Sequence, residues 1–242
     1  MNKIIRGRNA NSKKVKTLFI AQVVLGVMPV LLLILFVWKK MYQTPIVGTV
    51  FIFLCNLAYA FLARWYAVLH SGVKGERRLF RTVKKLHGTN IVFHNLPVRY
   101  KRGRSELDML IVCRAGVLII EVKNHSGTIS GSWRDDKWTQ RKHYRDGKVT
   151  ETMMDNPIKQ MRRQRDIVKS ILTAAGENVW IDSVLYFSSP NAKLKISLRE
   201  SDYVCCESAE LLEFLKSYDS GETLSKSRME HIAQILRESS GV

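Results

Sequence analysis

The stretch LDMLIVCRAGVLIIEVKN, Leu107 to Asn124, decides the fold, because it contains two short apolar runs with a small turn between them. Asp108 lies near the start of the first run, and Glu121 and Lys123 lie near the end of the second. Charged side chains are costly inside buried strands unless they are paired or bind a ligand. The three charges therefore call for an explanation.

Antiparallel pairing across the turn brings these charges together. A four-residue loop places Val112 opposite Val117, and the same register places Asp108 opposite Glu121. Side chains alternate between faces with a period of two, so we expect Asp108, Glu121 and Lys123 on one face. Opposed Cβ atoms lie about 4.5 to 5.5 Å apart, and two carboxylates that close repel each other unless a cation lies between them. Oxygen ligands favour Mg²⁺ or Mn²⁺ over zinc.

The alternative is an edge hairpin whose carboxylates pair with Lys123 or with nearby arginines. Charged residues are common at the ends of strands, so the hairpin alone favours this structural interpretation slightly. Uninterrupted apolar runs, however, are typical of strands that are covered on both faces. Charges confined to the ends of such strands indicate a site at the end of a buried strand.

Two long apolar segments precede this region. Thr17 to Trp38 and Pro45 to Ala63 are long enough for a helix to cross a bilayer, which takes about 20 apolar residues. The first segment is too long for a signal peptide, and no small-residue cleavage site follows it. Neither segment has a polar face, which disfavours a buried core hairpin. We expect a transmembrane helical hairpin over residues 17–66, with helices at about 17–38 and 45–64.

Flanking basic residues predict the orientation of this hairpin. Residues 1–16 form a basic arm, and basic residues are again frequent from Arg64 to Arg81. The connecting loop contains Lys39 and Lys40. The positive-inside rule then places both termini and the soluble domain in the cytoplasm, at the inner membrane, with the lipid bilayer as a partner.

The composition indicates an anionic partner. Lys and Arg number 39 against 21 Asp and Glu, so the formal net charge is +18. Such a charge is typical of proteins that bind nucleic acid or anionic lipid, and the N-terminal arm near anionic lipid accounts for part of it. The four cysteines lack metal-ligand spacing, and we expect them to be reduced, as in a cytoplasmic protein.

The rest of the chain mixes helical and strand patterns. Ser71 to Leu86 has the spacing of an amphipathic helix. Asn156 to Gly176 predicts another helix, with Asn156 as its cap, Pro157 in its first position and Gly176 at its end. The order helix, strands, helix, strand, strand, helix predicts an α/β sandwich around a mixed sheet. We expect this domain over residues 71–218 and a C-terminal helix within residues 219–242.

An ordered set of motifs resembles the nuclease-related domain called NERD, of the PD-(D/E)xK nuclease superfamily. The matching residues are Glu76 in GERRL, Asp108 in ELDMLIV, Glu121 and Lys123 in VLIIEVKNHSGTISG, and Gln160 in NPIKQ. The resemblance covers about Gly75 to Leu215 and departs from the superfamily pattern at Leu107, where Pro is expected. It implies a restriction-endonuclease-like α/β sandwich with a central mixed sheet, here preceded by the transmembrane hairpin.

The resemblance also implies roles for these residues. Asp108 and Glu121 would bind Mg²⁺ or Mn²⁺, helped by the Val122 carbonyl, and Glu76 would bind a second ion. The metal would polarise the scissile phosphate and lower the pKa of a bound water. Lys123 would orient that water or neutralise developing charge. Gln160 would hold the lysine or the water in place. Glu76 and Gln160 could equally be ordinary solvated helix residues.

Basic residues flank these motifs in the sequence and predict phosphate contacts that do not read bases. The candidates are Arg99, Lys101, Arg102, Arg104, Arg141, Lys142, Arg162 and Arg163. They could instead form a solvated basic face near an anionic membrane. Trp133 and Trp138 could stack on bases, although packing is the more common role. His125 is a candidate proton shuttle.

Three functional hypotheses follow. The first is a membrane-anchored, Mg²⁺-dependent phosphodiester hydrolase that acts on nucleic acid, with DNA as the expected substrate; a homodimer is consistent with this superfamily. The second is a catalytically silent module of the same fold that binds nucleic acid or a partner. The intact carboxylates and lysine argue against it, because binding alone does not require them. The third is an adaptor whose basic face binds lipid head groups.

Overall fold

The computed structural model describes residues 3–7, 10–38 and 45–240. Lys39, Lys40 and Tyr42, which belong to the predicted connecting loop, lie outside the described residues. The chain divides into two compact units, one formed by Asn9–Lys74 and the other by Met1–Arg8 together with Gly75–Val242.

The described part of the first unit is helical. The first described element in the chain is the strand β1 (Lys3–Arg6). The next two are the helices α1 (Ala10–Trp38) and α2 (Pro45–Val83). The rings of Phe19 and Tyr66 lie 6.1 Å apart, and Gly26 faces the ring of Tyr59. These contacts run in opposite directions along the two helices, so the helices are antiparallel.

Both helices contain segments long and apolar enough to cross a membrane, Asn11–Leu35 and Gly48–Val83. Many of their apolar side chains are exposed, including Phe53, Phe61 and Val68. Length and composition do not separate a membrane span from a signal sequence near the N-terminus, so the transmembrane hairpin stays a prediction.

The second predicted span and the amphipathic helix predicted to follow it form one element, because α2 runs without a break from Pro45 to Val83. Residues 65–70, which connect the two segments, contain neither glycine nor proline. Gly72 follows them, and a single glycine costs a helix only about 1 kcal/mol relative to alanine.

The second unit contains two sheets and three further helices among its described residues. Its remaining elements are β2 (Ile91–Tyr100), β3 (Gly103–Cys113), β4 (Gly116–Lys123), β5 (Gly127–Ser132), β6 (Lys137–His143), β7 (Val149–Asp155), α3 (Pro157–Ala174), β8 (Ile181–Phe187), β9 (Ala192–Ser197), β10 (Tyr203–Cys205), α4 (Ser208–Ser217) and α5 (Lys226–Ser240). The larger sheet has the order β1-β2-β3-β4-β8-β10, and the smaller has the order β7-β6-β5-β9.

The larger sheet is mixed and is covered on both faces. Strands β2, β3 and β4 are antiparallel to one another, whereas β1 pairs parallel with β2 and β8 pairs parallel with β4 and β10. One face packs on α3 and α5 through residues such as Leu110 and Val168. The other packs on the end of α2 and on α4 through residues such as Leu79 and Leu211. The predicted α/β sandwich with a central mixed sheet is confirmed.

The predicted register of the β3–β4 hairpin is also confirmed, with Val112 opposite Val117. The turn requires glycine at its last position. Gly116 has a φ of +123°, and a Cβ at this position would lie 2.7 Å from the carbonyl oxygen of Trp180.

Helix α3 begins as predicted. The Oδ1 of Asn156 accepts a hydrogen bond from the Ile158 amide at 2.9 Å, which satisfies one of the unpaired amides at the helix start. The side-chain amide of Asn156 also donates to the Asp135 carbonyl at 2.7 Å. The cap therefore fixes the start of α3 to the loop between β5 and β6, and this sets the positions of the polar residues one turn later.

Strand β1 was not predicted. Lys3–Arg6 falls within the basic arm and pairs parallel with the start of β2, Ile91–His94. Ile5 is half-buried against the core that lies between the sheet and α5. The segment Asn9–Lys74 therefore leaves and re-enters the same compact unit.

Candidate active site at the ends of β3 and β4

The ladder between β3 and β4 ends at the pair Met109 and Ile120. Beyond this pair, the Oδ2 of Asp108 accepts a hydrogen bond from the Val122 amide at 2.8 Å. The structure thus differs from the expected opposition of Asp108 and Glu121 in a regular ladder. A side chain takes the place of the backbone acceptor, and the two strands part at this point.

Glu121 and Lys123 lie on the face covered by α3, where Gln160 completes a closed set of three hydrogen bonds. The Nζ of Lys123 donates to Glu121 Oε1 at 2.7 Å and to Gln160 Oε1 at 2.8 Å. The Nε2 of Gln160 donates to the same Glu121 oxygen at 2.7 Å. The buried carboxylate is therefore balanced by one cation and held in one orientation.

Gln164 is a site residue that was not predicted. Its side chain is fully buried, and its Nε2 donates to Glu121 Oε2 at 2.7 Å. Gln164 lies on the apolar stripe of α3, three residues after Met161 and four before Val168. A glutamine at such a position on a buried helix face was the signal in the sequence, because buried amides require partners.

Asp108 is in a different electrostatic environment. Burial raises the pKa of its carboxyl group well above the usual value, and the charge of Glu121 raises it further. The hydrogen bond from Val122 and the charge of Lys123 oppose this shift, while the charge of Glu76 adds to it. Neighbouring negative charge favours the protonated form of a carboxyl group.

Glu76 is buried, which excludes the alternative of a solvated helix residue. Its Oε2 accepts a hydrogen bond from the Nδ2 of Asn95 at 3.0 Å. Asn95 has a φ of 55° and lies between the ladder pairs His94–Met109 and Leu96–Leu107, level with Asp108. Asparagine tolerates this left-handed conformation better than most residues.

The remaining acceptor of Asn95 is also informative. Its Oδ1 is buried and has no hydrogen-bond partner among the described residues. It adds an acceptor oxygen close to the Glu76 carboxylate, which accepts from the same side chain. Asn95 was not predicted, because nothing in the sequence reports its φ.

These residues fit a divalent cation in charge and donor type. Asp108, Glu121 and Glu76 supply oxygen ligands that such ions prefer. Burial first, and then the charges of Glu121 and Glu76, raise the pKa of Asp108, and a cation would relieve the part of this shift that comes from repulsion. Within the described ranges, no group of three or more His, Cys, Asp or Glu residues is arranged to hold a metal. A metal at this site is therefore a proposal.

The GERRL motif fixes the end of α2 to the site. A Cβ on Gly75 would lie 2.9 Å from both Asn124 Cβ and Ser188 Oγ, so only glycine permits this approach. The Nη1 of Arg78 donates to the Ser188 carbonyl at 2.6 Å and to Asn124 Oδ1 at 3.2 Å. These contacts explain why a glycine and an arginine flank Glu76.

Residues 71–188 match the model of the nuclease-related domain family, NERD. This chain carries a nuclease-related domain. The matched range includes Glu76, Asp108, Glu121, Lys123 and Gln160, so the residues that the structure brings together all belong to the domain. Its membership in the PD-(D/E)xK superfamily stays a prediction.

A curated relative is an uncharacterised protein of Bacillus anthracis, which is 34% identical over 71 residues. The match covers 28% of this chain and 34% of the relative, so it spans about a third of the relative's length. No solved structure matches the chain.

Three of the residues predicted to contact nucleic acid line one groove. Arg99, Arg104 and Arg163 line a cavity of about 820 Å³, and Glu106 lies in the same groove. The Nη2 of Arg163 donates to the Arg104 carbonyl at 2.7 Å. The Gln164 amide that holds Glu121 also donates to the Glu106 carbonyl, at 3.3 Å. The groove therefore begins next to the candidate site.

The other predicted contacts lie elsewhere. Lys101 and Arg102 form the exposed β2–β3 turn, and Arg141 and Lys142 belong to β6 of the smaller sheet. The guanidinium of Arg162 forms two hydrogen bonds to Asp202, at 2.9 and 2.6 Å, and lies over the ring of Trp133. These contacts indicate a structural role for Arg162.

Trp138 and His125, two further candidates from the sequence, lie in different environments. Trp138 is fully buried, as expected for a packing residue. The Nδ1 of His125 lies 3.2 Å from Gln140 Oε1. Burial is the main cause that lowers the pKa of His125, so its ring is neutral at pH 7. Its role as a proton shuttle stays a prediction.

Proposed function

We propose that this chain is a metal-dependent phosphodiester hydrolase that cleaves DNA and is anchored in the cytoplasmic membrane by α1 and α2. The observation that carries the proposal is the convergence of Lys123, Glu121 and Gln160 with Asp108 at the point where β3 and β4 part. Phosphodiester hydrolysis needs negative ligands, a positive donor and bound water in one place, and this arrangement supplies the first two.

Each residue has a distinct task in this proposal. Two of the ammonium protons of Lys123 are held by Glu121 and Gln160, so the third can donate to the scissile phosphate or to the attacking water. Asp108, Glu121 and Glu76 would hold Mg²⁺ or Mn²⁺. When bound, the metal polarises the phosphate and lowers the pKa of its water. Gln160 and Gln164 keep the Glu121 carboxylate in position.

The arginine groove supports nucleic acid as the substrate. Arg99, Arg104 and Arg163 line it next to Gln164, and arginines that contact phosphates bind a backbone without reading its bases. We expect affinity to fall steeply with salt, because each neutralised phosphate releases counterions.

Chain connectivity supports the membrane part of the proposal. Helices α1 and α2 are antiparallel, and both ends of Asn9–Lys74 join the same compact unit. A segment of this kind that enters a bilayer returns to the side from which it came. The basic flanks then favour the cytoplasmic side, where anionic lipid is the expected partner.

The test is cleavage by the full chain in detergent micelles, with fluorescent duplex DNA, single-stranded DNA and RNA as substrates. Cleavage should require Mg²⁺ or Mn²⁺ and stop with a chelator. Asp108→Ala and Lys123→Ala should each reduce the rate by about 10²- to 10³-fold or more, whereas Lys193→Ala, an exposed lysine of β9, should not. Variants that cut as fast as the parent would overturn the assignment.

A silent binding module is the second candidate. The observation in its favour is that Lys123 and both oxygens of Glu121 already have partners within the protein, as in a purely structural network. This candidate predicts salt-sensitive DNA binding in the presence of a chelator, with no cleavage under any metal. Metal-dependent cleavage that Lys123→Ala abolishes would exclude it.

A further inference from the structure

A second cavity lies at the end of β8, beside the candidate active site. Its volume is about 350 Å³, and its lining combines apolar residues, Tyr186, Pro190 and Ala192, with polar ones, Arg78, Ser188, Ser189, Cys206, Glu207 and Ser208. The Ser188 amide donates to the Lys123 carbonyl at 2.9 Å, so the cavity is separated from the Glu121 network by the ends of β4 and β8. Nothing in the proposed cleavage reaction uses this cavity.

The lining provides hydrogen-bond donors from three separate elements. Arg78 comes from α2 and uses one guanidinium nitrogen, Nη1, for its bonds to the ends of β4 and β8. Ser189 follows β8; it is 7% exposed, and its hydroxyl has no partner in the part of the chain that the structure describes. Ser208 is the first residue of α4 and exchanges a 2.6 Å hydrogen bond with the hydroxyl of Tyr186.

The start of α4 adds to this set. Its cap residue, Glu207, makes no side-chain hydrogen bond to the first turn of the helix. The first amides of a helix lack partners within it and carry partial positive charge. An arginine, the unpartnered hydroxyl of a mostly buried serine and an uncapped helix start therefore line one cavity.

We propose that this cavity binds a phosphomonoester, either the terminal phosphate of a nucleic-acid strand or the phosphate of a mononucleotide. A phosphomonoester carries about −1.5 to −2 charges at pH 7 and has three acceptor oxygens, which match donors from three elements. A phosphodiester within a strand has one charge and only two such oxygens. The cavity is at the small end of the range for small-molecule sites, about 300 to 1,000 Å³.

Glu207 opposes a dianion in this cavity and provides a sensitive test. Its carboxylate lines the cavity, and its charge, with that of Glu210, adds to burial in raising the pKa of Cys206. Removal of the Glu207 charge should therefore tighten phosphate binding, whereas a residue with only a structural role would not strengthen it.

The experiment measures binding to the full chain in detergent micelles with a chelator present, so its outcome does not depend on cleavage. The probes are a fluorescent oligonucleotide with a 5′-phosphate, the same strand with a 5′-hydroxyl, a 3′-phosphorylated strand, a nucleoside 5′-monophosphate and inorganic phosphate. A phosphorylated probe should bind about tenfold more tightly than its hydroxyl counterpart, the expected effect of charge-assisted hydrogen bonds. Competition by the mononucleotide identifies a free nucleotide as the source, and its absence identifies the strand end.

Three variants complete the test. Ser189→Ala should remove most of the preference for phosphate, and Glu207→Gln should increase affinity for phosphorylated probes several-fold. Arg163→Ala, in the arginine groove, should weaken both strands equally. Equal binding of phosphorylated and hydroxyl strands by the parent would overturn the proposal, as would an unchanged preference in both Ser189→Ala and Glu207→Gln. Cleavage without this preference would overturn only the phosphate site.

Discussion

The Glu121 and Asp108 carboxylates lie where the central strands β3 and β4 part, but they differ in their partners. On the α3 side, both oxygens of Glu121 have partners, and Lys123 balances the charge. Asp108, by contrast, has a pKa raised by burial first and then by the charges of Glu121 and Glu76. One half of the site is therefore complete within the protein, whereas the other half is short of positive charge.

The largest effect should come from the complete half. Glu121→Ala removes the acceptor of Lys123, Gln160 and Gln164 together. Loss of one partner from a buried charge network costs about 3 to 5 kcal/mol. Because Lys123 is partly exposed, we expect the unfolding free energy to fall by about 3 kcal/mol. Denaturation of the full chain in micelles measures it. A loss as small as that of an exposed control, Glu151→Ala on β7, would show that the network is not structural.

Gln164→Met tests the part of this half that was not predicted. Methionine fills the buried space but leaves Glu121 Oε2 without its donor, which should lower the unfolding free energy by about 1 to 3 kcal/mol. Loss of a group that orients a metal ligand typically costs 10- to 100-fold in activity. Lys159→Met, exposed on the same helix, is the matched control. Unchanged stability and cleavage would remove Gln164 from the site.

Asp108→Asn should change stability in the opposite direction. The pKa of Asp108 is higher in the folded chain than in the unfolded chain, so the folded state binds this proton more tightly. Stability is therefore lost as the pH rises from the unfolded pKa, about 3.9, through the folded pKa. Asn cannot ionise and should raise the melting temperature at pH 7, with no gain below about pH 4.

The same variant tests the cation. Mg²⁺ should raise the melting temperature of the parent, because a ligand that binds only the folded state stabilises it, and it should not raise that of Asp108→Asn. Cleavage should also be lost in the variant despite its greater stability. A variant that is less stable than the parent at pH 7 would contradict the proposed difference between the two halves.

The smallest effect should come from Asn95→Gly. Glycine adopts the φ of 55° without strain, so the substitution removes mainly the hydrogen bond to Glu76, worth about 0.5 to 1.5 kcal/mol. Asn95→Ala should cost more, because alanine disfavours this conformation. If the two variants lose equal stability, the left-handed conformation of Asn95 is not required.

The parts predicted from the sequence are those that depend on local spacing. The loop Cys113–Gly116 sets the β3–β4 register, and Asn156 with Pro157 sets the start of α3, so both were predictable. The resemblance grouped Gln160 with Glu121 and Lys123. Spacing along the chain alone does not report which strands α3 covers.

The parts that were missed depend on tertiary contacts. The role of Gln164 depends on how α3 is rotated above β4, and that of Asn95 depends on a backbone angle that opposes its strand environment. Strand β1 depends on pairing with β2 over a long sequence separation, which four residues of local pattern cannot report.

Strand β1 has a consequence for synthesis. Lys3–Arg6 is translated before α1 and α2, but its partner on β2, Ile91–His94, is translated after them. The first strand must therefore remain unpaired until both long helices have been made, and only then can this edge of the sheet close. Strands so far apart in the sequence pair late in folding, because the chain loses loop-closure entropy before the contact can stabilise it. A chain whose synthesis stops between the two helices therefore exposes an unpaired first strand.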